Sequence, residues 1–438
     1  MFSIMNDMDK IRYILQDYFE SSLPPLIERE FPYSFLDSNL VISIVGVRRS
    51  GKTYLLYQLI NKLKKTVPSH NIIYINFEDD RLYPLTGEEL KVLLDIYKQN
   101  FSYDQQKPLY LLLDEIQNIP LWEATIRRLY DREKNLKIII SGSSSRLLSS
   151  EISTALRGRT LTHKVFPFSF KEFLKANKIN FEIKNIKYST KRNIIIKGLR
   201  DYLEFGGFPQ VVLEENKTEL LQEYYRAILY RDIVERYQIK NLKLFENFLK
   251  VVTQHTASLF SYGKTLNLFK SMGHKISKNT LIEYMKYIES TFFAFEVPIF
   301  SYSIKDQLQY PRKLYIIDTG IRNAVSFRFS LDWGKLAENL VFIELKRQDK
   351  EIYYWKNSKN LEVDFLIKEG LEIEELIQVC WNIEDEKTRK REIKALLKAM
   401  DEFKIKEALV ITENYDGSEE IDKKKIIFIP LWHWLILI

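Results

Sequence analysis

The sequence predicts an α/β protein whose amino-terminal part is a parallel sheet covered by helices on both faces. Between residues 40 and 170, short apolar runs alternate with amphipathic segments. The runs are almost continuously apolar, as strands buried on both faces are. A glycine-rich turn after the first run leads directly into an amphipathic helix. The predicted strands are residues 40–45, 72–77, 109–113, 137–140 and 161–166.

The composition is that of a folded protein with several domains and no strong overall charge. The chain has 438 residues, 45% of them hydrophobic, and 66 Lys and Arg against 59 Asp and Glu give a net charge of +7. The single cysteine, Cys380, excludes an intramolecular disulfide and a zinc site built on several thiolates. Charged residues interrupt the amino terminus, and the apolar run at 431–438 is too short for a membrane span, which needs about 20 residues. We expect a cytoplasmic protein with no membrane partner.

The strongest motif follows the first predicted strand and matches the pattern G-x-x-x-x-G-K-[ST]. Its glycines let backbone N–H groups surround a phosphate at a helix amino terminus. We expect the loop to bind ATP, with Lys52 reaching the β- and γ-phosphates and the Thr53 hydroxyl binding Mg²⁺. The alternative is a tight glycine turn with a solvated lysine. The expected nucleotide-binding residues are Gly46, Val47, Arg48, Arg49, Ser50, Gly51, Lys52, Thr53 and Tyr54.

Two carboxylates, Asp114 and Glu115, follow the apolar strand at 109–113. An acid at the tip of a buried strand beside such a loop can hold Mg²⁺ through its waters, so we expect Asp114 to be a metal-binding residue. Glu115 can polarise the attacking water as general base. The alternatives are a helix-capping role for Asp114 and a solvated surface position for Glu115.

Polar and basic residues after the fourth strand are further catalytic candidates. Ser143, in the serine-rich segment 141–145, can sense the γ-phosphate and the attacking water, although serine-rich segments are also common turns. A guanidinium aimed at the γ-phosphate would stabilise transition-state charge. We expect Arg159 to supply it, with Arg157 as the second candidate and an ordinary surface arginine as the alternative.

Together these motifs resemble the archaeal-ATPase type of AAA+ superfamily protein. The resemblance rests on the loop and on the segments LLLDEIQ, SGSSS, LRGRT…FPFSFKEFL, FGGFP and YRDIVERY, in this order. It extends over nearly the whole chain and implies four domains. They are a P-loop ATPase core with an amino-terminal helical extension (1–175), a helical lid (176–241), a winged helix (242–325) and a domain similar to PD-(D/E)XK nucleases (326–438).

The region expected to form the winged helix has a local basic excess. Residues 241–313 contain 10 Lys and Arg against 5 Asp and Glu. One predicted helix begins at Ser261 and ends near Ser271, and Ser277 is placed to cap a second helix. The second helix would enter a major groove of DNA with Lys275, Lys278 and Asn279 near phosphates or base edges. The alternative is a packing module with a solvated basic face.

The nuclease-like domain departs from the pattern of active nucleases. The expected helix glutamate and strand aspartate are present as Glu338 and Asp364, with Glu362 beside them. Gln378 stands where a second metal-binding acid is expected, and Cys380 where a lysine is expected. Neutral glutamine binds Mg²⁺ weakly and a thiol does not replace an ammonium group. We therefore expect a domain similar in fold but inactive.

The leading hypothesis is an ATP-hydrolysing molecular switch that acts on or with nucleic acid. ATP and Mg²⁺ are its expected ligands, and DNA and a protein partner are candidate partners. An oligomer is a further candidate, with the arginine acting either within one chain or between copies. The alternatives are an ATP-regulated Mg²⁺-dependent nuclease and a non-hydrolysing binding protein whose fold is held in one conformation by bound nucleotide.

Overall fold

The computed structural model divides the chain into two compact units, Met1–Val165 and Phe166–Ile438. The structure describes residues 7–142, 156, 158–182, 186, 191–326 and 331–438. The division into four domains expected from the resemblance stays a prediction. Within the described parts of the chain, no helix is both long and apolar enough to cross a membrane.

The first unit is built on a five-stranded parallel sheet, which confirms the predicted fold class. Its strands run in the order β2-β3-β4-β1-β5. Strands β1, β3 and β4 are buried along most of their length, as their continuous apolar sequences predict. The strands are β1 (Val41–Val45), β2 (Ile72–Asn76), β3 (Leu109–Asp114), β4 (Leu136–Gly142) and β5 (Thr160–Lys164).

Among the described residues of this unit, four α-helices accompany the sheet. One hydrophobic core joins strands β1, β2 and β3 to the second helix, whose Leu55, Leu56 and Leu59 are buried. Since β1 lies between β4 and β5, the segment after β1 begins at the carboxyl edge of an interior strand, next to the end of the central strand β4. The helices are α1 (Asp7–Glu20), α2 (Lys52–Leu63), α3 (Glu88–Asn100) and α4 (Trp122–Arg132).

The second unit begins with helices. A capping box in the FPFSFKEFL segment starts the first of them, because Ser169 accepts from the backbone of Glu172 and the Glu172 carboxylate accepts from the backbone of Ser169. The YRDIVERY segment lies largely in a π-helix, Ile228–Glu235. The α-helices are α5 (Phe170–Ala176), α6 (Arg192–Phe205), α7 (Pro209–Leu213) and α8 (Lys217–Ala227).

Helices and a three-stranded antiparallel sheet follow, in the order β6-β8-β7. The two helix starts predicted from Ser261 and Ser277 are confirmed, since each side chain accepts a backbone N–H of the helix it caps. The elements are α9 (Leu242–Gln254), β6 (Ser258–Phe260), α10 (Tyr262–Ser271), α11 (Lys278–Ser290), β7 (Ala294–Val297), α12 (Ile304–Gln309), β8 (Arg312–Ile316) and α13 (Thr319–Val325).

The last part of the second unit is a six-stranded mixed sheet in the order β13-β14-β12-β11-β10-β9. Cys380 packs in its core, where burial raises the pKa of the thiol to about 12 and keeps it protonated. The elements are α14 (Trp333–Arg347), β9 (Glu351–Lys356), β10 (Glu362–Glu369), β11 (Glu372–Val379), α15 (Glu386–Phe403), β12 (Glu407–Thr412), β13 (Gly417–Ile421), β14 (Lys424–Pro430) and α16 (Leu431–Leu437).

The FGGFP segment is explained by a buried aspartate far along the chain. Asp318 accepts from the backbone N–H of Gly207 at 2.7 Å and from that of Ile321 at 3.1 Å, which caps α13. Burial raises the pKa of Asp318 to about 6. Gly206 has φ +75° and ψ −165°, and a Cβ there would collide with the Asp318 carboxylate. The segment therefore needs glycine for both conformation and space.

Replacing Gly206 with alanine should destabilise the second unit by more than the cost of placing alanine at a positive φ. We expect Gly206→Ala to lower the free energy of unfolding by about 3 kcal/mol or more, because strain and a collision with a buried carboxylate combine. Gly273→Ala is the control, since Gly273 also has positive φ but open space around it, and it should cost only about 1–2 kcal/mol. Denaturant unfolding measures both. Equal losses in the two variants would contradict the proposed collision.

Candidate nucleotide-binding site

The loop between β1 and α2 needs glycine at two positions. Gly51 is the N-cap of α2 and has φ +95°, which an ordinary side chain adopts only with strain. A Cβ on Gly46 would collide with the backbone carbonyl of Val165, the residue after β5. Gly46 therefore permits a close backbone approach, and Gly51 permits the left-handed turn that starts the helix.

The loop has the features of an anion-binding site. It ends at the amino terminus of α2, a helix of 12 residues whose first N–H groups point toward the loop. Among the described residues, the Ser50 hydroxyl is buried and has no hydrogen-bond partner. A buried hydroxyl without a partner is uncommon in folded proteins. These features fit a phosphate group.

Lys52 is folded onto the loop and only 4% exposed. Its Nζ donates to the carbonyl oxygens of Val47 at 3.2 Å and Gly46 at 3.3 Å, and lies 3.8 Å from Glu115 Oε1. The alternative of a solvated lysine is therefore wrong. The ammonium group is already held at the loop, with neutral carbonyls as two of its partners.

Asp114 lies at the carboxyl end of β3 and is completely buried. Ser141 on β4 donates to its Oδ1, and the hydroxyl of Tyr74 on β2 donates to its Oδ2 at 3.1 Å. Burial, and then the nearby Glu115, raise the pKa of Asp114, while hydrogen bonds from Ser141 and Thr53 lower it. The Thr53 hydroxyl and the Asp114 carboxylate are oxygen ligands of the kind Mg²⁺ prefers, so these residues fit the metal.

Glu115 is held at a strained backbone position with φ +51°. Its backbone N–H donates to the Ser141 hydroxyl at 3.2 Å, and the Gln117 side-chain amide donates to its Oε2. The carboxylate is thus fixed between Lys52 and Gln117, and it is only 9% exposed. The alternative of a solvated surface acid is wrong.

Sequence reasoning missed the residues that support this pair of carboxylates. Ser141 and Tyr74 come from the strands on either side of β3, and their role depends on the strand order. Gln117 carried a signal, since it ends the LLLDEIQ segment. No sequence pattern indicated a role for Arg29, which lies in the segment before β1. Its guanidinium donates to the backbone carbonyl of Ser50 at 2.7 Å.

The structure does not bring every predicted residue to the loop. Arg159 precedes β5, so it lies at the amino edge of the sheet. The loop begins at the carboxyl edge, and the length of a five-residue strand, about 17 Å, separates the two edges. There it pairs with Asp131 on α4 at 3.2 Å. Ser143 and Arg157 lie outside the described residues.

The other loop residues have varied environments. Arg48 lies 3.8 Å from Glu78, Val47 is buried, and Tyr54 on α2 is half exposed. Arg49 has φ +66°, which adds to the curvature of the loop. Their predicted contacts with nucleotide stay predictions.

Comparison with known proteins agrees with this architecture. A family model described as an AAA domain matches residues 38–174. Two models for domains of unknown function, DUF8612 and DUF4143, match residues 196–332 and 333–434. The sheet, the glycine loop and the AAA match define the class of this part of the chain, which is an AAA domain with a P-loop.

Full-length relatives then give the family. The chain is 41% identical to the uncharacterized protein MJ1544 of Methanocaldococcus jannaschii over 422 residues, covering 93% of this chain and 91% of the relative. It belongs to the family of that protein. It is also 29% identical to an uncharacterized protein of Haemophilus influenzae, with 91% and 95% of the two chains covered.

Solved structures with some likeness include an Orc1 protein and a Cdc6p protein. The Aeropyrum pernix Orc1 protein in complex with DNA is 12% identical, with a TM-score of 0.30 over 74% of this chain and 92% of that chain. Cdc6p from Pyrobaculum aerophilum is 12% identical, with a TM-score of 0.27 over 66% and 86%. Similarity at this level adds no evidence on function.

The burial of Asp114 predicts a pH-dependent cost in stability. The pKa of Asp114 is higher in the folded protein than in the unfolded chain. The contribution of this carboxyl group to folding is therefore favourable below about pH 4, and it is lost as the pH rises through the folded pKa. We expect Asp114→Asn to have a higher Tm than the unsubstituted protein at pH 8, with the difference shrinking on acidification. Thermal unfolding of nucleotide-free protein measures it.

The matched control for this prediction is Asp95→Asn, because Asp95 is an exposed carboxylate on α3. It should leave the Tm and its pH dependence unchanged. A lower Tm for Asp114→Asn at pH 8 would contradict the destabilising effect of the buried charge.

Proposed function

We propose that the protein is a Mg²⁺-dependent molecular switch that binds and hydrolyses ATP. The observation that carries the proposal is the meeting of Lys52, Asp114 and Glu115 in one buried network beside the glycine loop. An ammonium group, a buried carboxylate beside a threonine hydroxyl, and a second carboxylate are the groups that phosphoryl transfer to water requires.

ATP binding would change the hydrogen-bond acceptors of Lys52. The loop N–H groups and the Ser50 hydroxyl surround the phosphates, and the ammonium group leaves the carbonyls of Gly46 and Val47 for the β- and γ-phosphate oxygens. Thr53 and Asp114 would hold Mg²⁺, which supplies neutralising charge at those phosphates.

Hydrolysis uses Glu115. Once Lys52 turns to the phosphates, Glu115 Oε1 loses its ion pair and can accept a proton from a water molecule. The water attacks the γ-phosphorus in line, and the bond from that phosphorus to the β–γ bridging oxygen breaks, which gives ADP and inorganic phosphate. Gln117 donates to Oε2 and so orients the carboxylate.

Arg159 can serve as an arginine finger only for a neighbouring copy. Its place at the amino edge of the sheet is far from the loop of its own chain, but the side chain is a third exposed and available to another subunit. A sensing role for Ser143 is retained as a proposal from the sequence.

Substitutions in the network should separate binding from turnover. We expect Lys52→Ala to lose ATP binding, because its ammonium group is the main charged contact for phosphate. Glu115→Gln should keep binding and lose turnover by on the order of a hundredfold or more, because the amide is no base. Binding of a fluorescent ATP analogue and phosphate release measure the two steps.

Lys64→Ala is the control, since this lysine is exposed just after the far end of α2. It should change neither step. Normal phosphate release by Glu115→Gln would remove Glu115 as the base. ATP binding without phosphate release in the unsubstituted protein would favour a non-hydrolysing, nucleotide-locked protein.

We further propose that α9–α11 and the sheet β6-β8-β7 form a winged helix that contacts DNA, with affinity that depends on the bound nucleotide. The order of helices and strands and the antiparallel sheet support this. Lys275, Lys278 and Asn279 are exposed at the start of α11, where a recognition helix would meet phosphates or base edges. A protein partner in place of DNA, or together with it, is compatible with the same switch.

Removing two of these lysines should weaken DNA binding and its dependence on salt. We expect Lys275→Ala/Lys278→Ala to reduce the salt slope of duplex binding by about 2, because each phosphate contact releases about one counterion. Fluorescence anisotropy at several salt concentrations, with and without ATP, measures it. Lys243→Ala/Lys250→Ala is the control, because these lysines are exposed on α9. Equal slopes in the two double variants would favour a packing module.

A further inference from the structure

The second unit contains a buried lysine surrounded by three carboxylates. Lys313 on β8 is 3% exposed, and its Nζ lies 2.8 Å from Asp364 Oδ1, 2.9 Å from Glu362 Oε1 and 3.0 Å from Glu338 Oε1. Glu338 comes from α14, and Glu362 and Asp364 come from β10. The ammonium group donates hydrogen bonds to Glu338 and Asp364 and forms an ion pair with Glu362.

These acids are the ones that the resemblance to nucleases assigns to a metal. In such domains the helix glutamate and strand aspartate bind Mg²⁺, and a lysine from the next strand activates water. Here the positions expected for the second acid and the lysine are Gln378 and Cys380, and neither takes that role. Gln378 bridges the backbone N–H of Asp364 and the carboxylate of Glu392, and Cys380 is core.

The remaining oxygens of the cluster are also largely occupied. Asp364 Oδ2 accepts from the backbone N–H of Val379 at 2.9 Å, and Glu362 Oε2 accepts from Lys356 at 3.1 Å. Tyr315 donates to Glu338 Oε1 at 2.7 Å. Both oxygens of Asp364 and both of Glu362 are therefore used by donors, not left for a cation.

The spacing also suits an ammonium group better than a metal ion. The three oxygens lie 2.8–3.0 Å from the central nitrogen, whereas Mg²⁺ requires oxygens at about 2.0–2.1 Å and Ca²⁺ at about 2.3–2.6 Å. Within the described residues, no group of three or more acidic, histidine or cysteine side chains has the arrangement to hold a metal ion. The residues present do not fit the metal.

We propose that the Lys313 ammonium group takes the place of the divalent cation in this nuclease-like domain, so that the cluster is a metal-free ionic lock and not a cleavage site. The lock ties β8 to α14 and β10. Removing the lysine would leave three carboxylates without the counter-charge that they share. The proposal is independent of the ATPase site, because it concerns other residues and another ligand.

The test asks whether removing the lysine creates a cation site. We expect nucleotide-free unsubstituted protein to show no Mn²⁺ binding that Asp364→Asn abolishes. Lys313→Ala should bind Mn²⁺ at least about tenfold more tightly than the unsubstituted protein, since three carboxylates then lack a counter-charge. Lys313→Ala/Asp364→Asn should lose that gain. Electron paramagnetic resonance of free Mn²⁺ measures all four proteins.

Lys356→Ala is the matched control, because Lys356 pairs with Glu362 alone among the three acids, and it should gain no site. Mn²⁺ binding by the unsubstituted protein that Asp364→Asn removes would overturn the proposal. So would a folded Lys313→Ala protein that gains no binding.

If Lys313→Ala does not fold, the proposal is still tested by comparing Mn²⁺ binding and plasmid nicking between the unsubstituted protein and Asp364→Asn. Asp364-dependent nicking of supercoiled plasmid in Mg²⁺ or Mn²⁺ would overturn the proposal as well. Absence of both Asp364-dependent binding and nicking would support it.

Discussion

Lys52 and Glu115 meet at the carboxyl edge of the parallel sheet, where both are almost completely removed from water. Buried charges are costly unless they are paired, and here the ammonium group is paired with one carboxylate and two loop carbonyls. The glycines at 46 and 51 bring those carbonyls to the lysine by allowing a close approach and a left-handed turn. Since β3 already places Asp114 and Glu115 beside the loop, phosphate binding needs only a change in the partners of one side chain.

The sequence was informative where a feature depends on residues that are close together in the chain. All five strands of the first sheet were predicted within a few residues. Strands β1 to β4 are largely buried and nearly continuously apolar, whereas β5 is only partly buried. Lys52, Asp114 and Glu115 were predictable because the ends of parallel strands meet at one edge. Ser141 and Tyr74 were not, because their contact with Asp114 depends on β3 lying between β2 and β4. Strand order in space is set by packing and crossovers, which local sequence does not encode.

Arg159 shows how strand direction limits a motif-based assignment. The residue is near the loop in the motif order of the chain, but it precedes a parallel strand, whereas the loop follows one. The two positions are therefore at opposite edges of the same sheet. An arginine at the amino edge can complete an active site only on another copy, so the geometry makes assembly a condition of that role.

Lys52 and Lys313 are both buried, and they differ in the acceptors that hold them. This difference fits the roles that we propose, a binding group for Lys52 and a structural group for Lys313. Lys52 donates to two neutral carbonyl oxygens and lies 3.8 Å from one carboxylate oxygen. A phosphate can replace the carbonyls because it offers stronger, charged acceptors. Lys313 donates to the carboxylates of Glu338 and Asp364 and pairs with that of Glu362, and each of the three also accepts from another donor. Although burial alone would lower its pKa, the Asp364 and Glu338 carboxylates raise it well above the ordinary value. An incoming ligand would have to remove a charge that three acids require, so Lys313 stays in place.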